Sequence, residues 1–195
     1  MEYFNSSWKN IKVLAEDQNF ALNFQKALDV ILASYAQGGK LFIAGNGGSA
    51  ADAQHISAEL VAKLSRNRTS IPAFALTVDT SLLTAIGNDY GYDDTFSRQV
   101  DGLVGAQDVF LAITTSGNSS NIIKALKSAR QKGAKSILLT GKTGGKAKEE
   151  NLADVYLIAP GEHTASIQEA HMVIYHHLCF SIESGLIASG YAHWL

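Results

Sequence analysis

Apolar residues fall along the chain in two alternating patterns. Five short runs are continuously apolar: KLFIAG (40–45), AFALTV (73–78), DVFLAIT (108–114), SILLTG (136–141) and VYLIAP (155–160). Runs of this length, bounded by turn residues, predict strands buried on both faces. Between most of them the apolar positions recur at helical spacing. Ala21, Phe24, Leu28, Ile31 and Tyr35 form one stripe, ended by Gly38 and Gly39; Ile122, Ile123, Leu126 and Ala129 form another, ended near Gly133. A last long helix is predicted from about Thr164 to Ser184. Residues 1–36 look helical and carry no strand. They are expected to form an N-terminal helical extension packed on the domain of residues 37–195 or on another subunit.

Buried strands alternating with amphipathic helices predict an α/β fold, a three-layer αβα sandwich around a five-stranded parallel sheet. The flavodoxin-like order 2-1-3-4-5 is the natural expectation. In that arrangement ligands bind outside the carboxyl ends of the strands, where the winding reverses between strands one and three. The loop after strand one is GNGGS and the loop after strand three is TTSGNSS. Both unusual loops therefore fall at the predicted pocket.

Composition narrows the picture further. A net charge of -2 argues against nucleic acid or an anionic membrane as partner. Cys179 is the single cysteine, which excludes an internal disulfide and fits a reducing compartment. MEYFNSSWKN has no basic n-region, and no apolar run approaches the roughly 20 residues of a membrane helix. A soluble, cytoplasmic protein is expected.

In the first loop, glycines permit positive φ and close approach of a ligand, and Ser49 is placed to cap the helix that follows. In the second, Thr114, Thr115, Ser116 and Ser119 surround Gly117 and lead into another helix. Either loop alone reads equally well as a routine helix cap. Two at one switch point favour a bound phosphate, held by hydroxyls and backbone N–H groups. GNGGSA has the wrong glycine spacing for a dinucleotide fingerprint, and GKTGG is no P-loop.

His55 and Glu59 stand at i, i+4 and share a helix face. Alone they would be a solvated pair, but the helix around them is largely apolar, and a buried carboxylate becomes a better base. The segment TASIQEAHMVIYHHLCFSIE places Gln168, His171, His176 and His177 in another apolar helix. His171 and His177 are compatible with a core role; one histidine should face the pocket, and spacing does not choose it. Gln168 and His176 are eight residues apart, about 12 Å of rise and roughly 80° of rotation. Both would struggle to reach one small ligand from one chain. At least one is therefore expected to serve a neighbouring subunit's pocket.

Together GNGGSAADAQH…E, AIGNDYGY, FSRQV, TTSGNS, LTGKTGG and IQEAH…H resemble the phosphoheptose isomerases, within the sugar-isomerase (SIS) domain superfamily. The resemblance runs from about Gly39 to His176. It implies interconversion of sedoheptulose 7-phosphate and D-glycero-D-manno-heptose 7-phosphate, the entry to ADP- and GDP-heptose and so to glycoconjugates such as lipopolysaccharide. It also implies a homotetramer with sites between subunits. Carried over position by position, Asn46, Gly47, Gly48 and Ser49 would meet the substrate, Asn88 and Asp89 its hydroxyls, and Thr114, Thr115, Ser116 and Ser119 its phosphate. Zinc would sit at His55, Glu59, Gln168 and His176, with Gln168 also meeting substrate. Glu59 and His176 would be the acid/base pair.

Two positions depart from the family pattern. Lys63 stands where relatives often have Arg, keeping the charge without the bidentate fork, and Ser166 replaces an Arg before IQE. Both bear on substrate affinity more than on reaction type. Non-catalytic SIS proteins that sense sugar phosphates or hold a replication initiator are the alternative. They tend to lack the glutamate and second histidine that this chain keeps as Glu59 and His176. A pentose-phosphate isomerase is a further rival.

Overall fold

A computed structural model describes residues 1–195. Five parallel strands, β1 (Leu41–Gly45), β2 (Ala73–Ala75), β3 (Val109–Thr114), β4 (Lys135–Gly141) and β5 (Val155–Ala159), form one sheet in the order β2-β1-β3-β4-β5. This is the expected doubly wound order. Alternate strand residues enter opposite layers because side chains of a strand point to alternate faces. Val109, Leu111 and Ile113 join a core of 30 buried residues with α1 (Glu2–Glu16), α2 (Gln18–Ala36), α3 (Gly48–Val61) and α8 (Thr164–Ala188). Phe110 and Ala112 join a core of 18 with α5 (Ser97–Leu103), α6 (Ser120–Gln131) and α7 (Gly145–Glu149).

The structure refines the expected elements. Strand β2 has only three residues and α8 reaches Ala188. Between β2 and β3 the chain forms α4 (Thr80–Asp89), a 3-10 turn at Tyr92–Asp94, and α5, none of which the apolar pattern had marked. Helix α4 is capped by Asp79, whose Oδ1 accepts from Leu82 N at 2.9 Å. Residues 1–36 are helical but divided at Asp17, whose carboxylate accepts from the backbone of Asn19 and Phe20. Helix α2 buries Phe24, Ala27, Ile31 and Tyr35 in the larger core. Helix α1 is peripheral, burying only Leu14 and tied to α8 where Tyr3 and Ser7 donate to Glu169. No helix is long and apolar enough to cross a membrane.

Helices α3 and α8 pack side by side on one face of the sheet. Gln168 meets Gly48 at one end and Tyr175 and His176 meet His55 further along.

Candidate active site

Strand β1 ends at Gly45, and the turn through Gly47 (φ +56°) starts α3 at Gly48. Gly47 thereby takes the cap position expected for Ser49. The positive φ turns the chain earlier than foreseen, and Ser49 is buried as the second helical residue. The loop after β3 bonds to itself: Thr114 Oγ1 and Ser119 Oγ are 3.0 Å apart, and Ser116 Oγ accepts from Asn118 N at 3.1 Å. Ser119 precedes α6 without its side chain capping it.

These loops and the start of α8 enclose a cavity of about 280 Å³. Asn46, Gly47, Gly48, Ser49, Thr114, Thr115, Ser116, Ser119, Thr164 and Gln168 line it, with no charged side chain among them. Gly48 cannot be replaced cheaply, because a Cβ there would stand 2.4 Å from Gln168 Nε2. The Asn46 amide pairs reciprocally with that of buried Asn121, both bonds at 2.8 Å, and Tyr92 Oη donates to Asn46 Oδ1 at 2.8 Å. Sequence reasoning missed Asn121 and Tyr92. A buried asparagine within the apolar stripe of α6 was the available sign.

The second constellation lies further along α3. His55 Nε2 is 3.0 Å from Glu59 Oε1, and the rings of His55 and His176 meet edge-on with centroids 4.9 Å apart. Donor atoms of His55, Glu59 and His176 all lie within 4.8 Å of one another. Tyr175 Oη lies 2.9 Å from His55 Nδ1. The backbone of Glu59 is held from behind: Arg68 donates through NH2 to its carbonyl at 2.8 Å and through Nε to Glu183 Oε2 at 2.6 Å. Arg68 and Glu183 are both buried. Neither was foreseen, and nothing in their local sequence distinguishes them from solvated charges.

Two imidazoles and a carboxylate are the donor set of catalytic zinc sites. Bonds of about 2.0–2.2 Å in tetrahedral geometry put donors about 3.4 Å apart. A group already within 4.8 Å needs only side-chain adjustment to close on an ion.

Other candidate residues lie elsewhere. Gln168 lines the cavity at the start of α3, where it packs against Gly48. Asn88 and Asp89 are exposed at the end of α4, bonded to each other and not to the cavity. Lys63 is exposed beside Asn67, and Ser166 donates to the carbonyl of His163 at the start of α8. His171 is buried, with Nε2 3.1 Å from the Thr140 carbonyl and Nδ1 unpartnered. Burial lowers its pKa to about 4, against a smaller upward pull from that carbonyl. His177, open to a core role on sequence, is instead exposed and stacked on Phe24 at 4.7 Å. His176 is the histidine that faces the cluster.

The family model of the SIS domain matches residues 2–141. A phosphoheptose isomerase of Sulfurimonas denitrificans is 46% identical over 189 residues, covering 97% of this chain and 96% of that protein. The chain belongs to the phosphoheptose isomerase family of SIS-domain proteins. Solved structures agree. The phosphoheptose isomerase of Neisseria gonorrhoeae superposes with a TM-score of 0.85 at 42% identity, over 93% of this chain and 96% of its own. That of Francisella tularensis gives 0.86 at 35%, over 94% and 95%. As a family member the protein is an isomerase, and the two constellations on α3 can be read as parts of one enzyme.

Proposed function

We propose that the protein interconverts sedoheptulose 7-phosphate and D-glycero-D-manno-heptose 7-phosphate, supplying bacterial heptose nucleotides from the cytoplasm. The observation that supports this most is the meeting of the Glu59 carboxylate and the His176 imidazole, further along α3 from a cavity lined by hydroxyls and amides. Aldose–ketose exchange needs that pairing: a base for the proton on carbon and a second group for the protons on oxygen.

In this reading Thr114, Thr115, Ser116 and Ser119 hold the phosphate with the free N–H groups at the start of α6. Asn46, Gly47, Gly48, Ser49 and Gln168 hold the sugar near it. The seven residues from Gly48 to His55 span about 10 Å of helix, comparable with an extended seven-carbon sugar phosphate. Glu59 removes the C1 proton of the open-chain ketose, leaving an enediol, and returns it to C2. His176 carries protons between the two oxygens or assists ring opening. Asn88 and Asp89, exposed in a single chain, would meet sugar hydroxyls only in an assembly.

Zinc would be held by His55, Glu59 and His176, with its fourth position left for substrate as in other catalytic zinc sites. When bound it would polarise the substrate carbonyl as a Lewis acid. Gln168, which lines the cavity, would join such an ion from another subunit. A homotetramer is the proposed assembly. Exposed Phe4, Trp8, Leu22, Val173 and Phe180, with an apolar cleft among α1, α2 and α8, support subunit contact.

Purified protein incubated with five-, six- and seven-carbon ketose phosphates, with and without chelator, tests the proposal. Aldose should form fastest from the seven-carbon substrate and more slowly after chelation. Saturable binding with no aldose from any of them would instead mark a non-catalytic regulator.

A further inference from the structure

Asn46 lines the cavity and also heads a chain of hydrogen bonds that leads away from it, through α6 to the turn at Tyr92–Asp94. The other members are Asn121, the second residue of α6, Thr95, which follows the turn, and Tyr92 itself. Asn121 and Thr95 are buried, whereas Tyr92 is exposed. Buried amides need partners, and which end of an amide is nitrogen follows from what those partners can give and take.

The chain has a fixed starting point, because a carbonyl only accepts. Thr95 Oγ1 lies 2.8 Å from the Tyr92 carbonyl and donates its proton there. With that one proton spent, the hydroxyl can offer Asn121 only a lone pair. The Asn121 atom 3.5 Å from it is therefore nitrogen: a long bond, but turning the amide over would set two oxygens against each other with no proton between them. Asn121 Nδ2 then donates to Asn46 Oδ1, and Asn121 Oδ1 accepts from Asn46 Nδ2, both at 2.8 Å. Tyr92 Oη donates to the same Asn46 Oδ1 at 2.8 Å. The turn is itself held in place. Gln99 Nε2 donates to the Thr95 carbonyl from α5 at 2.8 Å, and Lys124 of α6 pairs with Asp94 at 2.9 Å.

Asn46 is left with one thing to offer. Its Oδ1 has two lone pairs, and Asn121 and Tyr92 take both. Its Nδ2 has two protons, and Asn121 takes one. The second N–H has no partner in the protein, on a residue that lines the cavity. We infer that Asn121, Thr95 and Tyr92 are positioning residues that hold the Asn46 amide as a donor, so that this point of the cavity takes a ligand oxygen with a free lone pair and refuses an ammonium. An amide free to turn over would offer oxygen as readily as nitrogen; one already set does not spend binding energy on the choice. The inference rests on the proposed sugar-phosphate reading for its ligand, and goes beyond it in fixing the kind of atom that Asn46 meets.

The experiment measures binding of sedoheptulose 7-phosphate to the intact protein by calorimetry, the sugar being equilibrated with its aldose wherever the protein converts it. Wild type, Tyr92→Phe, Asn121→Leu and Asn121→Asp are compared between about pH 5.5 and 8.5, with melting and gel filtration to show that each is folded and assembled as wild type is. Tyr92→Phe frees one lone pair of Asn46 and should weaken binding about 2- to 12-fold. Asn121→Leu leaves the amide unheld and should weaken it about 5- to 150-fold, in the same ratio to wild type at every pH. Asn121→Asp is the decisive variant. Ionised, its carboxylate only accepts and repels the Asn46 oxygen, so near pH 8.5 it should bind as weakly as Asn121→Leu. Protonated, it has one O–H and one C=O and can pair with an amide as reciprocally as asparagine does. Its affinity should therefore climb back toward wild type near pH 5.5. Division by the wild-type value at each pH removes the titration of the ligand phosphate and the field of the Asp94–Lys124 pair, which all variants share. A residue that merely packs would show no such recovery. A constant ratio for Asn121→Asp overturns the inference, and so does Tyr92→Phe binding as wild type does, which decides the matter if Asn121→Asp fails to fold. Nitrogen-15 spectra of asparagine-labelled protein without sugar give a second readout. One Asn46 Nδ2 proton should exchange with water much faster than the other, and equal rates overturn the inference. Failure of the isomerase proposal would show differently, as a wild type that keeps this unequal pair of protons yet neither binds nor converts the sugar phosphate.

Discussion

At the Gly48 end of the α3–α8 pair the polar groups are hydroxyls, amides and backbone N–H groups, and the cavity they line contains no charged side chain. About three turns along, around Glu59, they are two imidazoles and a carboxylate, supported by Tyr175 and by the buried Arg68–Glu183 pair. The first end suits a ligand whose charge is the same throughout a reaction, because neutral dipoles solvate a phosphate without committing a proton. The second suits a reacting centre, where protons change places. Binding that is equal in ground and transition states belongs to the first end, and differential stabilisation to the second. Substitutions at the two ends should therefore separate in the kinetics, turnover falling at one and affinity at the other.

The largest effect should come from Glu59→Gln, which keeps shape and removes the base. Turnover should fall by about 10²- to 10⁴-fold, the usual scale for a general base, with the melting temperature little changed. A variant that turns over within a few-fold of wild type would move the base elsewhere and dissolve the contrast between the ends. Next comes the support. Arg68→Met leaves Glu183 charged, buried and unpaired, which should cost about 3–5 kcal/mol of stability in chemical denaturation. Pairing it with Glu183→Leu should recover most of that loss. If the double variant is no more stable than Arg68→Met, the ion pair is not what holds the Glu59 backbone in place.

The two ends also differ in how far they were legible. The cavity is built from contiguous loops, GNGGS and TTSGNSS, so its members could be read in order, and strand order placed the loops together. Even there the cap was misjudged, because Gly47 with its positive φ displaced Ser49, and the Asn46–Asn121 pair spans 75 residues. In the cluster, the His55–Glu59 spacing was visible. Spacing did not choose His176 over His171 and His177, since that depends on the rotation of α8 against α3; only the family resemblance pointed to it. Arg68, Glu183 and Asp52 look like ordinary surface charges until tertiary packing buries them. Helices α4 and α5 were invisible for a related reason: α4 buries only Ile86, so no apolar stripe announces it.

Between the two ends, His171 anchors α8 to the carbonyl of Thr140 in β4. It stays neutral in the folded chain down to about pH 4, whereas an unfolded histidine takes up its proton near 6.5. In that interval the unfolded state binds more protons, so stability falls as pH is lowered from 6.5 toward 4, by at most about 3 kcal/mol. Above pH 6.5 the contribution is flat. Denaturation curves of wild type and His171→Leu at pH 7, 5.5 and 4.5 should show the variant with the shallower acid slope. Equal slopes would mean that His171 does not set the acid sensitivity.

The smallest effect should come from the cavity, and it is the one that most directly tests the contrast. Ser116 Oγ lines the cavity and accepts from Asn118 N, so its own proton is free for a phosphate oxygen. Ser116→Ala removes one charge-assisted bond, worth about 1–3 kcal/mol, or roughly a 5- to 150-fold rise in KM. Because the phosphate carries the same charge in substrate, enediol and product, that loss should be the same at every stage and kcat should stay within about twofold. Ser116→Thr, which keeps the hydroxyl, should recover much of the affinity. The opposite split, a lowered kcat at unchanged KM, would mean that this hydroxyl meets the reacting carbons. The phosphate would then have to be sought elsewhere on the protein, and the assignment of roles to the two ends of α3 would reverse.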